Sequence, residues 1–291
     1  LKPGLFTAQG RDTCGDIWLN SLGATPPQTP DAWLNSGTPP SQRLHASHKG
    51  SFGDVAVVGG ASGMVGAALL AGSAALHAGA GRVYLALLDE GDHRAVFASY
   101  PALMQSGVNR LAIEGMALVA GCGGGNAIDA CMPRLLSGAR QLVLDADALN
   151  ALARNPAWGP VVEARADGTT ALTPHPLEAA RLLGCSTAEV QANRLASAQR
   201  LAQQFNCTVV LKGSGTVVAN PDTLPRINPT GNARLAIAGT GDVLAGLLGS
   251  LMAQGHGAFE AACYACYRHG QAADQWTQPS TLTAADLARQ M

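Results

Sequence analysis

Short apolar runs that end in glycine or aspartate alternate along this chain with longer stretches in which apolar side chains recur at three- and four-residue spacing. Runs of the first kind occupy 54–60, 82–88, 117–120, 141–144 and 207–211, and residues 171–172 end another. Apolar throughout and bounded by turn-forming residues, they predict strands buried on both faces, as in a parallel sheet. The second kind predicts helices over 63–78, from about 127, from Pro176, from near Thr240, over 259–271 and over 284–290. Alternation of the two gives an α/β fold with a mainly parallel central sheet. Residues 1–46 break the pattern. Rich in Pro, Gly, Ser and Thr (PPQTP, SGTPPS), they are expected to be a loosely attached tail that adds little to turnover, ahead of a domain over 47–291.

The stretch 228–250, NPTGNARLAIAGTGDVLAGLLGS, passes from a glycine-rich turn into a helix whose apolar face is Val243, Leu244, Leu247, Leu248 and Leu251. Glycines at 239 and 241 let consecutive N–H groups of Gly239, Thr240 and Gly241 point into one small space. The start of a helix adds its own positive end, so a phosphate is the expected guest of this nest. Asp242 falls in the first turn. It either compensates the helix dipole or acts as a general base on a hydroxyl beside the phosphate.

Other strand ends carry comparable signals, and open α/β sheets bind ligands at that rim. Gly121-Cys122-Gly123-Gly124-Gly125 suggests a ligand approaching the backbone closely. Asp145 is a candidate for a metal or phosphate neighbourhood, while Asp147 reads as a helix N-cap. His175, between Pro174 and Pro176, is held on a rigid loop, either as a ligand contact or as a plain surface histidine. Lys212-Gly213-Ser214-Gly215-Thr216 joins two strands. Its lysine precedes the glycines and no helix follows, so it is no P-loop; it is a nucleotide-holding turn or a simple hairpin. Gly59, Gly60, Gly63 and Gly66 match a dinucleotide fingerprint only loosely, without a well-placed acidic partner.

The 291 residues are 47% hydrophobic and 13% charged with a net charge of −1, as expected of a globular chain. No basic run offers a nucleic-acid surface, and no apolar run is long enough to span a bilayer. The seven cysteines are scattered, which suits a reducing cytoplasm, and Cys263 and Cys266 read as buried helix residues.

HKGSFGDV at 48–55, DADALN at 145–150, TPHPLEAARLLG at 173–184, KGSGT at 212–216 and AGTGDVLAG at 238–246 stand in an order that resembles the ADP/ATP-dependent NAD(P)H-hydrate dehydratases. The resemblance implies a ribokinase-like fold, with helices on both faces of the sheet. It also implies a repair reaction that uses ADP or ATP, with Mg²⁺, to remove water from the S form of hydrated NADH or NADPH. By that likeness Lys212, Gly213, Ser214, Gly215, Thr216 and Gly241 hold the nucleotide, and Ala67, Gly123, His175 and Asp242 contact the hydrate, with Asp242 catalytic. No residue is assigned as a metal ligand, and a homo-oligomer is expected. Residues 1–23 look like the end of a hydrate epimerase domain. The chain departs from the family pattern at Cys122, where proline is usual, at Leu177, where glycine is usual, and at Arg234, where a small residue is common. A small-molecule kinase on the same fold and a nucleotide-binding regulator are the alternatives.

Overall fold

Val55 and Val57 point to one side of strand β2 (Asp54–Gly59) and Ala56 and Val58 to the other, and none is exposed. The same division runs through β5 (Ala117–Ala120) and β6 (Gln141–Leu144), where Leu118, Ala120, Leu142 and Leu144 serve one core and Val119 and Val143 the other. A sheet apolar on both faces must be covered on both. Met132–Gly138, Ala146–Arg154, Pro176–Leu183 and Arg194–Phe205 cover one face, and Val65–His77, Thr240–Ala253 and Ala258–Asp274 the other. This is a computed structural model, and it describes residues 1–25, 29–39 and 44–291.

The remaining strands are β1 (Trp33–Leu34), β3 (Arg82–Leu87), β4 (Leu103–Gln105), β7 (Thr170–Leu172), β8 (Thr208–Leu211), β9 (Val217–Asn220) and β10 (Thr223–Ile227). The sheet order is β1-β10-β9-β8-β7-β6-β5-β2-β3-β4. From β8 to β4 every pairing is parallel, while β8, β9 and β10 form antiparallel pairs. The chain builds outward from β2 through β3 and β4, then returns to lay β5 on the other side of β2. The strand order therefore reverses between β2 and β5, the place where open α/β sheets form a ligand crevice.

The long helix Thr240–Ala253 lies against Val65–His77 so closely that a Cβ on Gly246 would overlap the Ala71 carbonyl. Small residues make that approach possible. The sequence places the start of that helix, the helix after Pro176 and the strands at 54, 82, 117, 141 and 208 within a few residues. It misses β1, β4 and β10 and the Arg194–Phe205 helix. The helix expected from about 127 is a 3₁₀ turn, Gly125–Ala130, followed by Met132–Gly138, because Pro133 is accommodated only in a helix's first turn.

The expected loose tail needs amending where it is described. Pro3–Leu5 and Gly10–Thr13 are helical turns packed on the domain, and Asn35 is buried, donating to Asn228 Oδ1 at 3.0 Å. Side-chain and backbone hydrogen bonds achieve this where apolar periodicity is lacking. Parts of that expectation that fall on 26–28 and 40–43 lie outside the described residues.

Candidate active site

Residues at the carboxyl ends of β2, β5, β6, β7 and β8 converge on one corner. After β5, Cys122 O accepts from Gly60 N and Gly123 O from Ala61 N, which laces this turn to the one following β2. A Cβ on Gly123 would stand 2.9 Å from Ala67 Cβ, so these two predicted substrate contacts are neighbours. After β6 comes Asp145, 1% exposed. Ala146 beside it holds φ +45°, a strained value for a residue with a side chain, of the kind found where function over-determines the backbone.

Asp145 is the hub. Its Oδ1 accepts from Lys212 Nζ at 2.6 Å and from the buried Thr173 hydroxyl at 2.7 Å, and the Cys122 thiol lies 3.9 Å from its Oδ2. Burial alone would lower the Lys212 pKa; Asp145 and Glu178 more than offset it and hold the ammonium above its ordinary value. Lys212 Nζ would stand only 3.3 Å from a Cβ on Gly241, so the lysine meets the predicted phosphate nest directly.

Gly239 has φ +92° and ψ −13°, a left-handed conformation that favours glycine, and it opens the helix with no side-chain cap. The Thr240 hydroxyl is turned away, towards the Leu235 and Ile237 carbonyls. The buried His269 ring sits 2.9 Å from Thr240 O, and since a carbonyl only accepts, Nε2 carries a proton and donates. Burial pushes His269 down to about 4, which keeps that ring neutral. Asp242, part-buried in the first turn, is pushed up to about 7, mainly by burial and then by the charge of Asp145.

His175 is the N-cap of Pro176–Leu183. Its Nδ1 accepts from Leu177 N at 3.1 Å and Glu178 N at 3.3 Å, so Nε2 is the protonated nitrogen, 3.2 Å from Glu178 Oε1. Glu178 returns the bond, Oε2 accepting from His175 N at 2.7 Å, which completes a capping box. Burial raises Glu178 to about 7; burial and then Lys212 lower His175 below its ordinary value. Each group therefore keeps a neutral form near neutrality.

Of the sequence-predicted residues, the structure brings Ala67, Gly123, Asp242, Gly241 and Lys212 together, with His175 joined through Glu178 and Lys212. Ser214 and Gly215 face the first residues of the chain instead. Thr216 Oγ1 donates within its own turn, to Gly213 O at 3.0 Å, and Gly213 lies against the Arg194 guanidinium. Asp147 is not an N-cap, since its carboxylate reaches back to accept from Gly125 N at 2.8 Å; the residue at the cap position is Asp145. Cys263 and Cys266 lie on the Ala258–Asp274 helix, where burial pushes Cys263 up to about 12 and Cys266 higher.

Sequence reasoning missed Arg194, Thr173 and the burial of Glu178. Arg194 is buried and donates to Leu211 O at 2.9 Å and Lys212 O at 3.1 Å, fixing the peptide that carries Lys212. No local signal marks it. Glu178 stands three residues after His175, the spacing of a capping box, and that spacing was the available clue.

Cys122, Asp145 and Asp242 offer ligand atoms within 4.8 Å of one another, the one such group among the described residues. A thiol is a poor partner for Mg²⁺, and Asp145 already pairs with Lys212, so this trio does not form a cage for that ion. An ion carried by phosphates and touched by one or two carboxylates fits the donor set better. A surface hollow of about 350 Å³ bordered by Asn35, Arg226, His256 and Glu260 is lined by none of these residues.

A mainly parallel sheet covered by helices on both faces, with a bare helix start and an acid–lysine pair on its carboxyl rim, is a ribokinase-like architecture. The fold is shared with a ribokinase-like superfamily protein of Enterococcus faecalis at TM-score 0.75 and 24% identity, over 86% of this chain and 88% of that one. The profile of the NAD(P)H-hydrate dehydratases matches residues 55–291, and the chain belongs to that family. An ADP-dependent (S)-NAD(P)H-hydrate dehydratase of Neisseria meningitidis is 44% identical over 252 residues, 84% of each chain. The bifunctional NAD(P)H-hydrate repair enzyme of Escherichia coli is 38% identical over 94% of this chain, which spans 54% of its length. An ADP/ATP-dependent NAD(P)H-hydrate dehydratase of Bacillus subtilis, co-crystallised with ATP and Mg²⁺, superposes with TM-score 0.76 at 29% identity, over 89% of this chain and 96% of that one.

Proposed function

We propose that this chain uses ADP or ATP to dehydrate the S form of hydrated NADH or NADPH, with Asp242 as the base. The observation that carries the reading is the Asp242 carboxylate at an uncapped helix start, beside Gly241 and the Lys212 ammonium. The substrate hydroxyl gives its proton to Asp242 while its oxygen takes the terminal phosphoryl group of the nucleotide. Lys212 and the first N–H groups of the helix balance the charge on the transferring oxygens. The ring nitrogen's lone pair then expels phosphate, breaking the ring C–O bond, and loss of a neighbouring ring proton restores the double bond.

Lys212 and Gly241 would receive the nucleotide phosphates, with Gly213, Ser214, Gly215 and Thr216 as the turn that carries the lysine, and Ala67, Gly123, His175 and Asp242 would receive the hydrate. Mg²⁺ would enter on the nucleotide phosphates, with Asp242, in the first turn of the helix beside Gly241, as a nearby carboxylate. Its contribution is to neutralise phosphate charge. His175, tied into a capping box, positions the hydrate and transfers no proton. Seven free cysteines suit the reducing cytoplasm.

The test is to incubate the protein with hydrated NADH, Mg²⁺ and ADP or ATP and follow the return of reduced-nicotinamide absorbance. Recovery coupled to phosphate release is the expected result. Accumulation of a phosphorylated substrate without recovery would make the protein a kinase, and no reaction with either nucleotide would refute catalysis.

A further inference from the structure

The first residues of the chain join two loops of the site. Ala8 N donates to Ser214 O at 3.0 Å and Ser214 Oγ donates to Ala8 O at 3.1 Å, a short pairing that ties the segment to the 212–216 turn. Gly215, at φ +64°, lies so close beneath it that a Cβ there would overlap the Phe6 carbonyl. From the turn Gly10–Thr13, Arg11 Nη2 donates to Pro229 O at 2.9 Å and Gly231 O at 2.8 Å. Asp274 holds the same loop by its N–H side, its carboxylate accepting from Gly231 N and from Asn232 Nδ2, each at 2.8 Å. A cation on the carbonyls and an anion on the donors fix this loop from two sides. The loop leads to Gly239, and the 212–216 turn carries Lys212.

We propose that Phe6–Arg11 is a strap belonging to the nucleotide site, with Arg11 as its positioning residue, and that it raises the affinity for ADP or ATP. The proposal rests on the nucleotide reading above. Holding the 212–216 turn against the 228–232 loop before the ligand arrives removes an ordering cost that binding would otherwise bear. Coupling of this kind is reciprocal, so bound nucleotide must stabilise the strap by the factor through which the strap improves binding. The strap touches none of Asp242, Asp145 or Glu178, so its effect falls on affinity and not on the chemical step.

The experiment uses the whole chain. Arg11→Ala should weaken ADP or ATP binding by roughly tenfold in calorimetry, with kcat at saturating nucleotide unchanged. Arg11→Lys, which keeps the charge on a shorter side chain with one donor nitrogen, should fall between parent and Ala. In the parent, saturating nucleotide should slow amide exchange at Ala8, and in Arg11→Ala it should slow it less. A purely structural contact would leave that exchange indifferent to nucleotide. Unchanged affinity in a folded Arg11→Ala protein, or Ala8 exchange unaffected by nucleotide, overturns the strap. A parent that binds neither ADP nor ATP refutes the nucleotide reading itself, and the strap with it.

Discussion

Two helices begin on the same rim and treat their first N–H groups in opposite ways. At Pro176–Leu183, proline has no N–H to satisfy, Leu177 and Glu178 donate to His175 Nδ1, and Ala179 donates to His175 O. At Thr240–Ala253, Gly239 has no side chain to offer and the Thr240 hydroxyl is engaged elsewhere, so the opening N–H groups have no side-chain cap. A helix start without internal acceptors is an anion site. The capped start is a mount for His175 and Glu178; the bare one, beside Lys212, is the anion site that the proposed function requires. Position on the rim did not distinguish them; the accounting of hydrogen bonds does.

The substitution with the largest expected effect is Asp242→Asn. It keeps size and helix start but cannot take the proton, and losing a general base costs about 10²–10⁴-fold in turnover. A folded variant that binds nucleotide and turns over hydrate within a few-fold of the parent would leave Asp242 only its dipole role. Gly239→Val comes next, because a side chain at φ +92° costs about 1–2 kcal/mol and its Cβ would stand 2.5 Å from Leu70 Cδ1. Its melting temperature and its nucleotide affinity should both fall. An unchanged affinity would separate the bare helix start from phosphate binding.

At the capped start, His175→Ala should cost about 1 kcal/mol of stability and raise KM for the hydrate more than it lowers kcat. A large fall in kcat at unchanged KM would turn His175 from mount into catalyst. The last test is read from pH. Asp242 and Glu178 have folded pKa values of about 7, against 3.8 and 4.5 for ordinary carboxyls. The folded state therefore binds their protons more tightly than the unfolded one, and stability declines as pH rises from about 4 to about 7. The active base is the ionised form, so kcat/KM of the free enzyme should climb over the upper part of that window with an apparent pKa near 7. Denaturant midpoints and rates should thus move in opposite directions, and Asp242→Asn should flatten the stability trend by its share. Parallel movement would contradict the assignment.

Much of this site was legible before any coordinates. The turn at 239–241, the helix it opens, the lysine at 212 after a strand, and Asp145 at a strand end all follow from residue type and local spacing, because glycine, proline and apolar periodicity act on the backbone within a few residues. Other features were not. Asp145 and Lys212 are 67 positions apart, and Arg194 supports Lys212 through backbone carbonyls that any residues there would present. The composition of residues 1–46 concealed Arg11, whose partners are 218 and 220 positions away. By itself, then, the sequence determined the alternation of strand and helix, the family and the glycine turn that opens the helix at Thr240. Tertiary structure alone decided that Lys212 stands beside the uncapped start at Thr240, which carboxylates burial pushes up to about 7, and which chain segment bridges the loops. Desolvation and long-range pairing depend on what surrounds a group in space, and local spacing carries no record of that.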